Sequence, residues 1–394
     1  MKIDLTDPRV EAFKSWVSQD ASPFFPLVEA NIGNTVRMNG REALMFGSCD
    51  YLGLSQNAEI VERSIEAIRA FGTNTYGSQA LCGHTVLHHA VEEHLARIHF
   101  KETALMFPSG FAANLAVLTT LAGPEDVIIN DHTNHVSIFT GSRLSGAEVR
   151  TFLHNDMVRL ERVLAKSGDR RRRIVVVDGL YSADGDLAPL DQIVDLAKRY
   201  DALVVVDEAH SFGVVGPRGL GAADHFGVLD DVDVVVGTMS KALGSVGGFV
   251  VANEQINLML RALAPSYTSS RGSAPAVAGA TLASLEYIEK HGADLRSRLN
   301  ENVQYVTSTL RAEGFDLLDT CSQIVPVLIG SEEKTAAVAR WLMDNGVFTA
   351  AFVAPTVPKN KGRLRIGVTA THTLEECRQL CVALKQADEK FSLT

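Results

Sequence analysis

Short apolar segments alternate with amphipathic segments between residues 60 and 236. Four apolar segments have the composition of strands that are covered on both faces: DVIIN (126–130), IVVVD (174–178), LVVVD (203–207) and VDVVV (232–236). Apolar residues at helical spacing predict helices at 60–71, 84–99, 155–166 and 189–200. Because strands joined through helices form βαβ units, this pattern predicts an α/β domain with a mostly parallel central sheet and helices on both faces.

The last third of the chain has a different rhythm. The periodicity there predicts helices at 275–291, 295–313 and 333–345, strands at 324–329, 346–354 and 364–368, and a closing helix from Thr373. The first 45 residues carry prolines and turn signals and are predicted to be irregular. We therefore expect an N-terminal arm (1–45), a large α/β domain (46–285) and a smaller α+β C-terminal domain (286–394).

Composition excludes several classes of protein. Of the 394 residues, 46% are apolar and 21% charged, the balance of a soluble chain with a sizeable core. The net charge of −10 argues against a protein that coats nucleic acid, and no apolar run is long enough to span a membrane. The N-terminal string MKIDLTDPRV has acids where a signal peptide has basic and apolar residues. With five scattered cysteines and no C-x-x-C pair, we expect a cytoplasmic protein, with Cys377 and Cys381 as buried thiols.

Two candidate chemistries are weak. The string DEAH (207–210) after an apolar strand suggests a nucleoside triphosphatase, but the sequence contains no Gly-Lys dipeptide and therefore no phosphate-binding loop of that class. His84, His88 and Glu92 are spaced four apart, which suggests a metal site on one helix face. We interpret these three residues as a solvated helix face and expect no metal, because no further ligand is evident.

A third chemistry uses the same strand end differently. Asp207 ends a buried strand, where parallel sheets bind ligands, and Lys241 lies between small residues after the next strand. Burial lowers the pKa of such a lysine and frees its amine to attack a carbonyl, while an acid keeps a ring nitrogen protonated. The string FPSGFAAN (107–114) opens a helix suited to a phosphate. Together these features point to pyridoxal phosphate (PLP).

Seven strings carry a family resemblance. They are SCDYLGL (48–54), FPSGFAAN (107–114), DHTNHVSI (131–138), DGLYSADGDLAPL (178–190), VDEAHSFGVVGPRGLG (206–221), VVGTMSKALGSVGG (235–248) and APTVPKNKGRLRI (354–366). In this order they resemble the α-oxoamine synthases of the fold-type I PLP-dependent transferases, and two segments look most like bacterial serine palmitoyltransferase. The resemblance implies the fold-type I architecture, with a mostly parallel sheet and a small C-terminal domain.

The resemblance also implies residue roles. Lys241 is the expected Schiff-base lysine, Asp207 the partner of the pyridine nitrogen, and His135 the residue stacked on the ring. His210 and Ser182 are expected near the phenolic oxygen. The expected phosphate contacts come from Ser109, Gly110, Phe111, Thr238 and, from a neighbouring subunit, Ser269. Arg365 is the expected clamp for the amino-acid carboxylate, with Arg363 as the alternative.

Two positions depart from the family pattern. Cys49 stands where relatives commonly have an asparagine associated with the substrate carboxylate, which puts the choice of amino acid in doubt. Tyr76 lies in a loop that lacks the small residues of several relatives, and we expect it to reshape the acyl entrance. We treat both as substrate-binding candidates.

The implied activity is the decarboxylative condensation of glycine, alanine or serine with an acyl thioester, which yields an α-amino ketone, CO₂ and a free thiol. The amino acid, the acyl chain and the thiol carrier (coenzyme A or a carrier protein) stay open. A homodimer with shared active sites is expected. The alternatives are another fold-type I PLP enzyme, such as an aminotransferase or aldolase, and a non-catalytic relative.

Overall fold

The structure is a computed structural model that describes residues 23–394. The chain divides into two compact units. The central unit comprises Cys49–Ser182 and Asp186–Ser297. The terminal unit comprises, among the described residues, 23–48, Ala183–Gly185 and Arg298–Thr394. The predictions made for the first 22 residues lie outside the described residues, and the predicted three-domain division stays a prediction.

The central unit contains a seven-stranded sheet. Its strands are β4 (Thr103–Phe107), β5 (Val127–Asp131), β6 (Glu148–Phe152), β7 (Arg173–Asp178), β8 (Ala202–Asp207), β9 (Val234–Thr238) and β10 (Gly248–Ala252). The spatial order is β4-β10-β9-β8-β7-β5-β6. The strands from β9 to β6 are parallel, whereas β10 runs antiparallel to both of its neighbours. The sheet therefore confirms the mostly parallel prediction.

Both faces of this sheet are buried. Val175 and Val177 of β7 pack in one apolar cluster, and Ile174 and Val176 pack in another. Because successive side chains of a strand point to opposite faces, the continuous apolar run of β7 contributes to both clusters. Its terminal Asp178 is the register partner of Asp207 on β8, so two carboxyl groups stand side by side at the carboxyl edge of the sheet.

Helices connect and flank the strands. They are α1 (Ala58–Phe71), α2 (Val86–Ile98), α3 (Gly110–Leu121), α4 (Val136–Leu144), α5 (Met157–Ala165), α6 (Leu190–Arg199), α7 (Ala222–His225), α8 (Glu254–Leu263), α9 (Pro265–Thr268), α10 (Pro275–Ala312), α11 (Glu332–Asp344) and α12 (Leu374–Phe391). The side chain of Asp156 caps α5 by accepting the Arg159 amide. A capping box of Thr373 and Glu376 begins α12 at the predicted position.

The prediction of two helices between 275 and 313 is wrong. One continuous helix, α10, runs from Pro275 to Ala312, and Gly292 lies inside it. A single glycine costs a helix about 1 kcal/mol relative to alanine, which packing offsets. The predicted domain boundary near residue 285 therefore falls within a helix.

The terminal unit has two small sheets. The first orders β1 (Val28–Ile32), β2 (Thr35–Met38), β3 (Arg41–Met45) and β12 (Val347–Phe348), and the second orders β11 (Ile324–Gly330), β14 (Gly362–Gly367) and β13 (Ala350–Phe352). The prediction of an irregular start is therefore wrong for residues 28–45. Its strands have at most five residues and include exposed polar ones, so they lack the apolar run that marked the buried strands.

The two cysteines of α12, Cys377 and Cys381, are buried as predicted. Burial raises the pKa of both thiols, of Cys377 to about 12 and of Cys381 to about 11. Within residues 23–394, none of the helices has the length and apolar character that a membrane crossing requires.

Candidate active site

A cavity of about 220 Å³ lies at the carboxyl edge of the central sheet. It is lined by residues that follow or end β4, β5, β7, β8 and β9. Eight of the predicted site residues contribute to its wall: Ser109, Gly110, Phe111, His135, Asp207, His210, Thr238 and Lys241. The fold therefore brings together residues that are separated by more than a hundred positions in the sequence.

Asp207 is the buried acid of this cavity. Its Oδ2 accepts a hydrogen bond from Asn114 Nδ2 (2.6 Å), and its Oδ1 accepts one from the Ala209 amide (2.9 Å). Burial raises the pKa of Asp207, and the two donated hydrogen bonds oppose that shift by favouring the carboxylate. Asp207 is thus held in place by two donors while it lines the cavity.

Asp178, the neighbour of Asp207 in the sheet, lines the same cavity. Its Oδ2 accepts the His135 amide (3.0 Å), while its Oδ1 has no hydrogen-bond partner among the described residues. Burial and the adjacent Asp207 raise the pKa of Asp178 well above its ordinary value. Because two buried carboxyl groups this close do not both ionise readily, the two hydrogen bonds to Asp207 favour the charge there rather than on Asp178.

A chain of hydrogen bonds links Asp207 to His135. Asn114 Nδ2 also donates to Ser137 Oγ (3.0 Å), and Ser137 Oγ lies 2.7 Å from His135 Nδ1. Since Ser137 Oγ accepts from the amide, its own proton is directed to Nδ1, which leaves the imidazole proton on Nε2. Burial lowers the pKa of His135, which favours this neutral form.

Lys241 follows β9, and its side chain is half-buried rather than enclosed, contrary to the prediction of a buried lysine. Its Nζ lies 3.5 Å from Cys49 Sγ. Cys49 therefore lies directly beside the reactive-lysine candidate. Cys49, which departs from the family pattern, thus contacts Lys241, the expected Schiff-base lysine.

His210 is oriented by a residue that sequence reasoning did not single out. The hydroxyl of the fully buried Tyr51 lies 2.7 Å from His210 Nδ1. This contact fixes the imidazole ring at the edge of the cavity. Tyr51 belongs to the SCDYLGL string, so its position in a recognised motif was an available signal.

The start of α3 forms one end of the cavity. Ser109 caps this helix by accepting the Ala112 amide (3.1 Å), and the amides of Gly110 and Phe111 have no acceptor within the helix. Gly248 of β10 packs tightly on this turn, because a Cβ there would lie 2.4 Å from the Ser109 carbonyl oxygen. The helix start thus presents backbone N–H groups and a partial positive charge, which suit an anion.

Thr238 and Ser240 lie opposite this helix start. Their hydroxyl oxygens are 2.8 Å apart, and the Thr238 hydroxyl lies 2.8 Å from the Gly247 carbonyl oxygen. A Cβ on Gly110 would approach the Thr238 side chain to 3.2 Å, so glycine keeps this end of the cavity open. Ser240 was not predicted, although it directly precedes Lys241.

This set of residues fits PLP. The amine of Lys241 suits its aldehyde, the carboxylate of Asp207 suits its ring nitrogen, and the start of α3 suits its phosphate. Asn114 Oδ1 and Asp178 Oδ1 are buried without hydrogen-bond partners in the described part of the chain, as expected of a wall built around a polar guest.

Four predicted residues of the central unit do not line this cavity: Cys49, which contacts Lys241, and Tyr76, Ser182 and Ser269. Ser182 is half-buried four positions after the end of β7, and Ser269 is exposed just after α9. Tyr76 is 89% exposed, so within this structure it covers no part of the cavity. Their predicted roles stay predictions.

The two arginine candidates differ in their environment within the terminal unit. Both lie on β14 and both are buried. Arg363 Nη1 is 2.5 Å from Asp184 Oδ1, an ion pair that already occupies its guanidinium. The guanidinium carbon of Arg365 lies 5.9 Å from the Phe352 ring centroid. The choice of Arg365 over Arg363 stays a prediction that rests on the family resemblance.

The interpretation of His84, His88 and Glu92 as a solvated helix face is wrong for two of the three residues. His88 and Glu92 are buried, and Glu92 Oε1 accepts the Met106 amide (2.9 Å). Burial lowers the pKa of His88 to about 4 and raises that of Glu92 to about 7. These side chains bind α2 to neighbouring backbone, a contact that helical spacing alone does not reveal.

Asp178 is the main residue that sequence reasoning missed. The segments IVVVD and LVVVD end in the same way, so Asp178 carried the same strand-end signal as Asp207. Asn114 and Ser137 gave no comparable signal, because their roles come from hydrogen bonds across elements.

Comparison with known proteins gives one family. The model described as aminotransferase class I and II matches residues 41–384. The chain is 40% identical over 360 residues to 8-amino-7-oxononanoate synthase of Exiguobacterium sibiricum, covering 91% of this chain and 92% of that protein. It is 38% identical over 380 residues to serine palmitoyltransferase of Bacteroides thetaiotaomicron, covering 96% of each chain.

Solved structures agree with this result. A serine palmitoyltransferase with its PLP internal aldimine superposes with a TM-score of 0.94 at 31% identity over 98% of both chains. The Sphingomonas wittichii serine palmitoyltransferase gives the same TM-score at 30% identity and the same coverage. The 8-amino-7-oxononanoate synthase of Francisella tularensis gives 0.76 at 27% identity, covering 88% of this chain and 96% of that one.

Proposed function

The chain belongs to the aminotransferase class I and II family and, within it, to the PLP-dependent α-oxoamine synthases, and on this premise we propose the residues that carry its reaction. The reaction is the decarboxylative condensation of an amino acid with an acyl thioester. The observation that carries the residue assignment is the cavity in which Lys241, Asp207 and the start of α3 meet.

We assign the holding of PLP to three groups of this cavity. Lys241 binds the aldehyde carbon, Asp207 faces the ring nitrogen, and the amides of Gly110 and Phe111 with the Thr238 hydroxyl bind the phosphate. When bound, PLP supplies an electron sink for negative charge at the amino-acid Cα. Asn114 Nδ2 and the Ala209 amide donate hydrogen bonds to Asp207 and support its charged form. A charged carboxylate suits a partner for a protonated nitrogen.

Lys241 also has the second role of a base. Its Nζ lies in the cavity that would hold the amino acid, and as a free amine it would take the proton from Cα. His135, held by Ser137 and by Asp178, covers one side of the cavity as a neutral imidazole. A neutral ring is suited to stacking and to donating a hydrogen bond from Nε2.

We assign the amino-acid carboxylate to Arg365. Its planar guanidinium suits bidentate binding of a carboxylate, and its place in the string APTVPKNKGRLRI matches the position that the family resemblance assigns to the carboxylate. Cys49, beside Lys241, lies where the amino-acid substrate attaches, so we propose that its thiol helps to select glycine, alanine or serine.

The experiment is a matrix of these three amino acids against acyl thioesters of increasing chain length, on coenzyme A and on a carrier protein. Release of free thiol and of CO₂ in equal amounts is the expected result, because each condensation yields one of each. An aminotransferase or aldolase would release neither. Turnover without CO₂ would therefore contradict the proposal.

We also propose a homodimer with shared active sites and a cytoplasmic location. The dimer is supported by Ser269, which is exposed on the central unit and matches a family position that reaches the phosphate of a neighbouring subunit. The location is supported by the five cysteines, none of which forms a disulfide in the structure.

A further inference from the structure

A second cavity, of about 360 Å³, lies beside β6, the edge strand of the central sheet. Four basic side chains line it: His132, Arg159, Arg162 and Lys166. Its described lining contains no carboxylate. We call these four residues the basic face.

Helix geometry explains why three of them act together. Arg159 and Arg162 are three positions apart on α5, and Lys166 follows four positions later at the helix end. These spacings put side chains on one side of a helix. At 1.5 Å per residue, the stripe from Arg159 to Lys166 is about 10 Å long.

The positive charge of the basic face is compensated only in part. His132 Nδ1 lies 3.7 Å from Asp131 Oδ1. Arg159 Nε lies 4.0 Å from Asp156 Oδ2, a long contact to the residue that caps the helix. Glu161, on the same helix, pairs with Arg199 instead (2.9 Å). Among residues 23–394, Arg162 and Lys166 have no carboxylate within ion-pair distance.

One end of the basic face, at His132 and Leu153, lies at the carboxyl edge of the sheet, as the active site does, and the stripe on α5 runs from there along β6. Strands β6, β5, β7 and β8 are parallel neighbours, so their carboxyl ends point the same way. Leu153 directly follows β6, and Asp207 ends β8 three strands away. Three strand spacings amount to about 14 Å, which an extended prosthetic arm bridges.

Two exposed apolar side chains extend this surface. Leu153 lines the cavity and is 53% exposed, and Val158, next to Arg159, is 60% exposed. A basic stripe with apolar neighbours is typical of a protein-docking surface rather than of a pocket for one phosphate. Because the whole chain carries a net charge of −10, an acidic partner needs such a local positive region to approach.

We propose that the basic face is the docking surface for an acidic acyl carrier protein, which presents the acyl thioester to the neighbouring active site. The proposal rests on the proposed function for the identity of the substrate. It assigns the thioester to a carrier protein rather than to coenzyme A, which the activity alone leaves open.

The test compares two charge reversals, Arg162→Glu and, as a control, Lys290→Glu. Lys290 is an exposed cation of the central unit on α10, so both variants change the net charge equally. The probe is a recombinant bacterial acyl carrier protein with an acyl group on its prosthetic arm, and the same acyl group on coenzyme A is the second substrate. We expect Arg162→Glu to raise the KM for the carrier-protein substrate about tenfold at low salt with kcat unchanged, since surface charges act mainly on encounter. Lys290→Glu is expected to change it less than about twofold.

A similar rise in KM for the coenzyme A substrate would overturn the proposal, because the basic face would then bind phosphate of either origin. Equal effects of the two reversals would overturn it as well, because overall charge would then be the cause. Direct binding of the labelled carrier protein, followed by fluorescence anisotropy across a salt series, tests docking without turnover. If the wild-type protein releases thiol from neither substrate, the proposed function fails, while the binding assay still decides the docking surface.

Discussion

Asp178 and Asp207 have the same side chain and divide two tasks between them. Asp207 receives two hydrogen bonds that favour its charge, whereas Asp178 receives the His135 amide and lies against Asp207. Burial and the adjacent Asp207 raise the pKa of Asp178 well above its ordinary value, which favours its neutral form. Asp207 thus contributes negative charge to the cavity, and Asp178 holds the backbone of His135 in place.

This division predicts unequal effects of two substitutions. Asp178→Asn keeps an acceptor for the His135 amide and adds no charge change, so PLP affinity is expected to stay within about threefold of the wild type. Asp178→Ala leaves that buried amide unpaired, at a cost of about 1–3 kcal/mol, and is expected to weaken PLP binding at least about tenfold. Fluorescence titration with PLP measures both. Equal losses in the two variants would show that Asp178 acts through its charge.

Lys241 is expected to be essential in a different way. Lys241→Ala removes both the covalent link to PLP and the base, so the visible absorbance of lysine-bound PLP disappears and kcat falls by about 10²–10⁴-fold or more. Lys290→Ala is the control, since its exposed side chain is remote from β9 in sequence. Absorbance spectra of the purified variants give the answer. An unchanged Lys241→Ala spectrum would rule out this lysine.

His154 is a titratable residue whose contacts contribute to the stability of the fold. Burial disfavours its charge, but Asp131 and Asp186 contact its two ring nitrogens and raise its pKa to about 10. In the unfolded chain its pKa is near 6.5. Because the folded pKa is the higher one, this stabilisation is complete below about pH 6.5 and is lost as the pH rises towards 10.

The corresponding prediction concerns His154→Gln. At pH 6 this variant is expected to be less stable than the wild type by about 1.5–3 kcal/mol, the range for hydrogen bonds to charged groups. The difference is expected to shrink between pH 7 and pH 10. His89→Gln, at an exposed ion pair, is the control and is expected to change stability by less than about 0.5 kcal/mol. Chemical unfolding at several pH values measures these differences. A difference that does not depend on pH would contradict the ionic explanation.

At the level of elements, the phosphate end of the cavity depends on close packing of β10 against the start of α3. A Cβ on Gly248 would lie 2.4 Å from the Ser109 carbonyl oxygen and 2.6 Å from the Gly110 nitrogen. Both neighbours are backbone, so neither can move aside as a flexible side chain would. The glycine therefore fixes the distance between the strand and the turn.

Gly248→Ala is accordingly expected to displace that turn. We expect PLP affinity to fall at least about tenfold and stability to fall by about 1–3 kcal/mol, as for other overpacked sites. Gly168→Ala is the matched control, because a Cβ there meets nothing within 4 Å. PLP titration and chemical unfolding test the pair. Wild-type affinity in Gly248→Ala would show that the turn does not bind the phosphate.

At the level of the whole molecule, the decisive question is whether active sites are shared between subunits. Lys241→Ala and a Ser269→Asp variant are each expected to be inactive alone. After mixing and exchange of subunits, half of the dimers are mixed and each mixed dimer has one intact site, so about a quarter of wild-type activity is expected. Thiol release measures the recovery, and light scattering measures the mass. No recovery from exchanged subunits would contradict a shared site.

Much of the central sheet was predictable from local pattern. Strands β5, β7 and β8 were predicted to within one residue at each end, because strands covered on both faces must be apolar throughout. The small strands at 28–45 were missed because their exposed residues dilute that signal. The interruption predicted within α10 was wrong because packing overrides a weak local preference.

The sequence alone determined the chemistry of the site: an amine at Lys241, an acid at Asp207 and a helix start at Gly110, each placed at the end of a strand. These features are local, because strand ends and helix starts follow from short stretches of residues. Only the tertiary structure decided that Asp178 lies beside Asp207, that Tyr51 contacts His210 and that Cys49 touches Lys241. It also showed that the basic residues of α5 line a cavity beside β6, the edge strand of the central sheet. Such relations join residues far apart in sequence, and they are set by strand order and packing, which no local pattern encodes.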